Sequence, residues 1–166
     1  MCPTFDPDTF MQQTIDAPLE TEFRMVPEGE FQAMIGDFTS EAFSQIDFQY
    51  SKGERAGQPG TMTKFDCPFV INDSRLTQEL GRENATVGCQ LILDIANDGG
   101  LDFGPNKNVR LGQIRNAVGQ NSPGPWQISH LRGAGPVMVR VVHKSGKRKD
   151  GSDWKRAEVD RVVPIR

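Results

Sequence analysis

Polar and apolar residues alternate along much of the chain with a period of two. Phe31, Ala33 and Ile35 fall on one side and Gln32 and Met34 on the other, as in a strand buried on one face. Gly36 permits the bulge or sharp bend with which a small barrel curls its first strand. A hairpin is expected next, with FSQIDFQYSKGERAGQPGTM holding its polar, glycine-rich loop and 61–71 as its return strand; Pro68 places that strand at an edge or a bulge. Residues 85–97 form the most apolar strand, and NDGG ends it with turn chemistry. The last two strands are the clearest. In 136–143, Val137, Val139 and Val141 alternate with Met138, Arg140 and Val142. In 154–165, Ala157, Val159, Arg161 and Val163 oppose Trp154, Arg156, Glu158, Asp160 and Val162.

Helical spacing is confined to short pieces. DPDTFMQQ predicts one turn, with Asp6 as N-cap and Pro7 at the first position. NDSRLTQELGRE predicts a short helix capped by Asp73 or Ser74, with Leu76 and Leu80 four apart and Gly81 just past its end. NVRLGQIRNAVG predicts a helix capped by Asn108, with Leu111, Ile114, Ala117 and Val118 toward the core and Arg110 and Arg115 outside. A further helical turn is expected around 126–131. Phe31, Phe38, Phe65 and Phe69 read as core, while Tyr50 fits either core or a stacking platform. The pattern predicts a mainly β fold, a small OB-like Greek-key barrel with one or two short helices and an extended N-terminal arm; a β-sandwich is the alternative.

Composition agrees with that class. The 166 residues suffice for one domain with a sizeable core. Hydrophobic residues at 36%, with 17 Gly and 11 Pro, suit a β-rich, loop-rich domain better than a helical bundle. Cys2, Cys67 and Cys89 are too few and too scattered for a disulfide scaffold or a zinc site, so reduced thiols and a host-cytoplasmic setting are expected. No stretch approaches the ~18 apolar residues of a membrane span, and the acidic N-terminus lacks the apolar region of a signal peptide.

Charge changes the picture. The net value is −3, yet residues 1–104 hold 6 Lys/Arg against 18 Asp/Glu, and residues 105–166 hold 13 against 4. The chain divides into an acidic extended arm, 1–25, and a β-barrel domain, 26–166, ending in a basic hairpin. Phe5, Phe10, Ile15, Leu19 and Phe23 are strung along the polar arm, which argues for docking on its own domain or on a neighbour.

No catalytic constellation stands out. G-x-S-x-G, P-loop, H-E-x-x-H and C-x-x-C patterns are missing, and neither His130 nor His143 has a positioned partner in sequence. GAGP precedes a strand, which makes it a turn rather than a phosphate cradle. Asp94, Asp98 and Asp102 lack the spacing and closing Glu of a calcium loop. The expectation is a non-enzymatic protein with no cofactor and no metal.

The stretch HKSGKRKDGSDWKRAE is different. Lys144, Lys147, Arg148, Lys149, Lys155 and Arg156 surround a turn, opposed only by Asp150, Asp153 and Glu158, with Trp154 among them. Single-strand binders need cations for phosphates and flat aromatic faces for bases. A solvated turn would also show many lysines, and both readings stay open on composition. Arg140, amid valines, must pair with an acid such as Asp160 or face a ligand groove. The candidate nucleic-acid-binding set is therefore Arg140, Lys144, Lys147, Arg148, Lys149, Trp154, Lys155 and Arg156.

The order of motifs is also suggestive. VPEGEFQAMI leads into a Gly-rich loop, ELGRE precedes an apolar strand, and NVRLGQIRNAVGQN is followed by LRGAGPVMVRVVHKSGKRKDGSDWKRAEVDRVVPI. Over roughly residues 26–165 this resembles small phage-encoded single-stranded-DNA-binding proteins of replication and recombination modules. In those, a P-x-G-x-Y/F opening and a closing L-x-G-x-x-V-x-V-x-V hairpin bracket the domain. LRGAGPVMVRVVH carries two extra residues before its strand. The resemblance implies single-stranded DNA as partner, a homo-oligomer, and no residue-by-residue ligand set. Many bacterial single-strand binders end in an acidic tail, whereas here VVPIR closes the sequence and the acidic segment leads it. The arm is then expected to recruit a replication or recombination protein, or to compete for the basic groove. A second class also fits: a virion structural protein, such as a capsid decoration or cement protein, whose arm contacts a capsid neighbour.

Overall fold

The computed structural model describes residues 4–165, so Cys2 lies outside the described residues. Six strands form one antiparallel sheet: β1 (Gly29–Ile35), β2 (Phe43–Gln49), β3 (Pro59–Asn72), β4 (Asn84–Leu93), β5 (Val137–Lys147) and β6 (Asp153–Pro164). Three short helices accompany them, α1 (Pro7–Met11), α2 (Leu76–Leu80) and α3 (Val109–Ala117), with 3-10 turns at Ser40–Ala42 and Ile128–Leu131. The protein is mainly β, as its alternating pattern predicts.

The long strand β3 organises the sheet. One edge bonds β4 from Thr63 to Asn72. The other edge is shared, with β2 along residues 59–65 and β1 along 69–71. β1 also pairs with β5, and β5 with β6. β4 and β6 touch without a ladder among the described residues, and α3 packs on both.

Pro68 sits inside β3 rather than at its edge, and the shared edge explains how. Its carbonyl accepts from Gly36 N at 2.9 Å. Backbone N and O of one strand residue face the same neighbour, so the nitrogen without a hydrogen faces the interval between β1 and β2, where no ladder bond is required. Phe38 comes from that interval and meets the ring of Phe65 edge-on at 5.1 Å, while Phe43 stacks on Phe65 at 4.6 Å. The core otherwise collects the inward alternation: Phe31, Ala33 and Ile35 from β1, Phe65, Cys67, Phe69 and Ile71 from β3, and Val137, Val139 and Val141 from β5. Leu111, Ile114 and Ala117 complete it from α3.

The strict alternation predicted for 154–165 fails at one point. The register shifts so that Val141 faces Val159 but Arg140 faces Arg161, which leaves Asp160 as the extra residue of a bulge. Beyond it the faces exchange. Val162 packs on the core, and Arg161 and Val163, expected inside, turn outward.

Two local expectations also change. Asn108 occupies the N-cap position of α3 in a left-handed conformation (φ 52°), but its side chain makes no cap bond. Instead Oδ1 accepts from Asp94 N at 2.9 Å, while Nδ2 donates to the carbonyls of Asp94 and Asp102. It ties the helix to the end of β4. Arg115, expected outside, is half-buried, with its guanidinium 4.1 Å from the Trp126 ring centroid.

The arm keeps its sequence-level shape. Asp6 caps α1, accepting from Asp8 N at 3.2 Å, and Pro7 takes the first position. Phe5, Phe10, Met11, Ile15, Leu19 and Phe23 are all exposed. Val26 is the first buried residue among those described, and its carbonyl lies 2.7 Å from His143 Nε2.

Asn108→Ala is expected to cost about 2–4 kcal/mol in urea unfolding, through lost hydrogen bonds and because Ala tolerates left-handed backbone less well than Asn. Asn108→Gly, which loses the same bonds but has no Cβ to strain that conformation, should recover about 1 kcal/mol of the loss. The opposed thiols Cys67 and Cys89 give a pH prediction. Burial pushes both up from an ordinary 9.0, Cys89 to about 11. A raised folded pKa gives stability that is full below the unfolded value and lost as pH rises through the folded one. Unfolding temperature should therefore fall between pH 9 and 11, and less steeply in Cys67→Ala/Cys89→Ala.

Candidate nucleic-acid interface

Strand alternation sorts the eight predicted residues. Arg140, Lys144, Trp154 and Arg156 share the outer face of β5 and β6, Lys147 and Lys155 take the opposite face of the hairpin, and Arg148 and Lys149 form its tip. The set is thus one hairpin but not one surface.

The outer face is organised by an acid. Glu158 is only 4% exposed, the one buried charged residue among those described. Lys144 Nζ donates to its Oε1 at 3.4 Å, and Arg156 Nε donates to its Oε2 at 3.2 Å. Arg156 also donates to Gln90 Oε1 on β4 at 3.2 Å and lies 4.7 Å from the Trp154 ring centroid. Trp154 is half-buried against Gly146, directly opposite, where a Cβ would lie 2.8 Å from the indole. Glu158 thereby fixes Arg156, and Arg156 with Gly146 fixes the indole. Composition presents Glu158 only as an opposing charge; its burial depends on the contact of β6 with β4, which no local pattern shows.

The remaining cations differ in freedom. Arg140 Nε donates to Asp160 Oδ2 at 2.7 Å, the first of the two outcomes that its place among valines allows. Lys147 meets Asp153 at 3.0 Å in a largely exposed pair of little energetic weight. Arg148 donates to Ser152 Oγ and to the carbonyl of Asp153. Hydrogen bonds from the Ser152 side chain and backbone hold the Asp150 carboxyl below its usual range and order the tip. Lys149 and Lys155 form no ion pair among the described residues.

The β2–β3 hairpin repeats the device. Phe48 is opposite Gly60, where a Cβ would lie 2.7 Å from Phe48 and 2.9 Å from Tyr50. Arg55 lies 5.6 Å from the Tyr50 ring and donates to its hydroxyl at 3.4 Å. This gives Tyr50 a packing role at the base of an exposed loop. Outward residues of β3 and β4 include Lys64, Gln90 and the exposed Ile92, with Asp66 beside Gly88 as the one carboxylate at their centre. From α3, Arg110 reaches the carbonyls of Gln90 and Asp160 at 3.5 and 3.2 Å.

The acids near the end of β4 serve turns. Asp98 accepts from Gly100 N and Asp102 from Gly104 N, both within 3 Å. Among the described residues no group of three or more His, Cys, Asp or Glu is placed to hold a metal ion, and no helix is long and apolar enough to cross a membrane. Comparison with protein-family models, with curated proteins and with solved structures finds no match.

Gly146→Val should displace the indole. The expected result is a red-shifted Trp emission and a stability loss of about 1–3 kcal/mol, read by fluorescence-monitored denaturation.

Proposed function

We propose that this protein is a non-enzymatic, phage-type single-stranded-DNA-binding protein built on a small OB-type barrel. The fold reading is supported by the pairing order. β1 links β3 to β5, β4 pairs with β3, β6 pairs with β5 and approaches β4, and α3 falls between β4 and β5 in sequence. A partly open five-stranded Greek-key barrel has this circuit when β1 and β2 are counted as one bent strand.

One observation carries the function: the Trp154–Arg156 pair, held by Glu158 and laid against Gln90 of β4. It sets a cation and an aromatic edge at the seam between the basic hairpin and the β3–β4 face. Phosphates would be met by Lys144, Arg156 and the tip cations, and a base by Trp154, with little regard to sequence. The expected setting is the host cytoplasm, with like subunits along the strand.

The arm favours a second reading. Six exposed apolar side chains on an otherwise polar segment suit a partner-binding strap, as in a capsid decoration or cement protein. On the first reading the same strap would engage a replication or recombination protein.

Titration of fluorescent oligo-dT at two salt concentrations separates these. Tight, length-dependent binding that weakens steeply with salt is expected, and no binding at low salt would move the assignment to the virion. Lys147→Ala/Arg148→Ala/Lys149→Ala should weaken binding and flatten the salt slope by up to about 2. Trp154→Ala should lose roughly 1–3 kcal/mol of affinity while its circular dichroism stays native.

A further inference from the structure

We propose that the groove between the start of α3 and loops 101–107 and 122–126 is a second single-stranded-DNA subsite, taking one base with its phosphate. The inference rests on the single-strand reading above and extends its footprint to residues that the basic hairpin does not include.

The groove is a cavity of about 570 Å³, within the ~300–1,000 Å³ of ordinary ligand sites. Its lining joins flat apolar surface to positive charge. Phe103 is 89% exposed, a ring presented by a loop rather than packed beneath one. Trp126 is half-buried and held in orientation by its indole N–H, which donates to Gln120 Oε1 at 2.8 Å. Arg115 stacks on that indole and donates to the Gln120 carbonyl at 3.0 Å. Its Nε is buried without a hydrogen-bond partner, and it is the only such side-chain atom among the described residues. Lys107 is exposed and forms no ion pair among the described residues. Gly112 and Gly124 line the walls, with open space where a Cβ would stand. Asp102 is the one acid of the lining, and its carboxylate already accepts from Gly104 N at 2.8 Å.

Two cations, an oriented indole and an exposed phenyl ring match a nucleotide better than a neutral apolar ligand. The cations complement a phosphate, and the ring faces take any base. A cation beside the lining residue Leu111 reaches toward the hairpin. Arg110, in the first turn of α3, donates to the carbonyl of Gln90, and Arg156 donates to the side chain of that same residue. A strand leaving Trp154 would reach the groove across this cation.

The test uses the two tryptophans separately. Trp154→Phe leaves Trp126 as the sole tryptophan of the chain. Unlabelled oligo-dT is titrated into this full-length variant while Trp126 emission is recorded, and labelled oligo-dT is followed by anisotropy in parallel. Quenching of Trp126 that saturates with the anisotropy is expected. Phe103→Ala/Lys107→Ala, both exposed positions, should bind about five- to tenfold more weakly with unchanged melting temperature. Saturating anisotropy with unaltered Trp126 emission, and parent-like binding by the double variant, would overturn the groove and leave the hairpin reading intact. No anisotropy change for the wild-type protein at low salt would overturn both. Emission that follows protein concentration instead of DNA would assign the groove to the acidic arm of a second copy and overturn the DNA subsite.

Discussion

A fourteen-residue strand bonded on both edges leaves little room for a proline. β3 contains one, and the arrangement of the other strands follows from where its missing donor points. Since Pro68 offers no hydrogen toward β1 and β2, the ladder on that side is interrupted there. The chain uses the interruption to bend between Ile35 and Phe43. The bend brings Phe38 and Phe43 onto Phe65, which closes the core where the ladder is missing. It also lets β1 leave β3 and pair with β5, so that the sheet curls back until β6 touches β4. Hydrogen bonding forgone at one residue is offset by aromatic burial at three.

That curl creates the electrostatic arrangement at the seam. A carboxylate in the position of Glu158 would be an ordinary surface acid on a flat ribbon. Once β6 lies against β4 it is buried, and a buried acid needs compensating partners. Lys144 and Arg156 supply them, and Arg156 is thereby drawn over Trp154 and toward Gln90. The cations nearest the body of the sheet are consequently ordered and partly neutralised. At the tip, Lys149 makes no ion pair among the described residues. The hairpin is graded, with buried and ordered charge at its base and exposed charge at its end.

Much of this was legible in the sequence, and the failures have definite causes. Alternation identified the core faces of β1 and β5, because each is a one-sided strand whose period is set by geometry alone. The Asp6–Pro7 cap was equally readable, being complete within three residues. Alternation failed in β6 because a bulge costs nothing in composition: Asp160 is as polar as any outward residue, and the exchange of Val162 for Val163 follows from strand pairing. Asn108 looked like a helix cap because capping and stapling use the same amide. Only the proximity of Asp94 and Asp102 distinguishes them. Trp126 and Phe103 are silent in the sequence, since isolated aromatics in proline- and glycine-rich loops carry no periodic signal; the stack of Arg115 on Trp126 exists only once the loop folds back on α3. The basic hairpin was visible as charge, but its separation into two faces and a tip depended on the register of β5 with β6.

The glycines opposite Phe48 and Trp154 have a consequence for how such a protein can vary. Each hairpin extends past the main hydrophobic interior, yet each carries a small anchored cluster of its own, an aromatic ring seated on bare backbone with an arginine nearby. The cluster seals the ribbon below its tip. Residues beyond the seal are tied to the rest of the molecule by few contacts, so insertions, deletions and charge changes there are borne locally. The two loops are interchangeable heads on a fixed body, free to diversify in length and charge while the sheet that carries them stays the same.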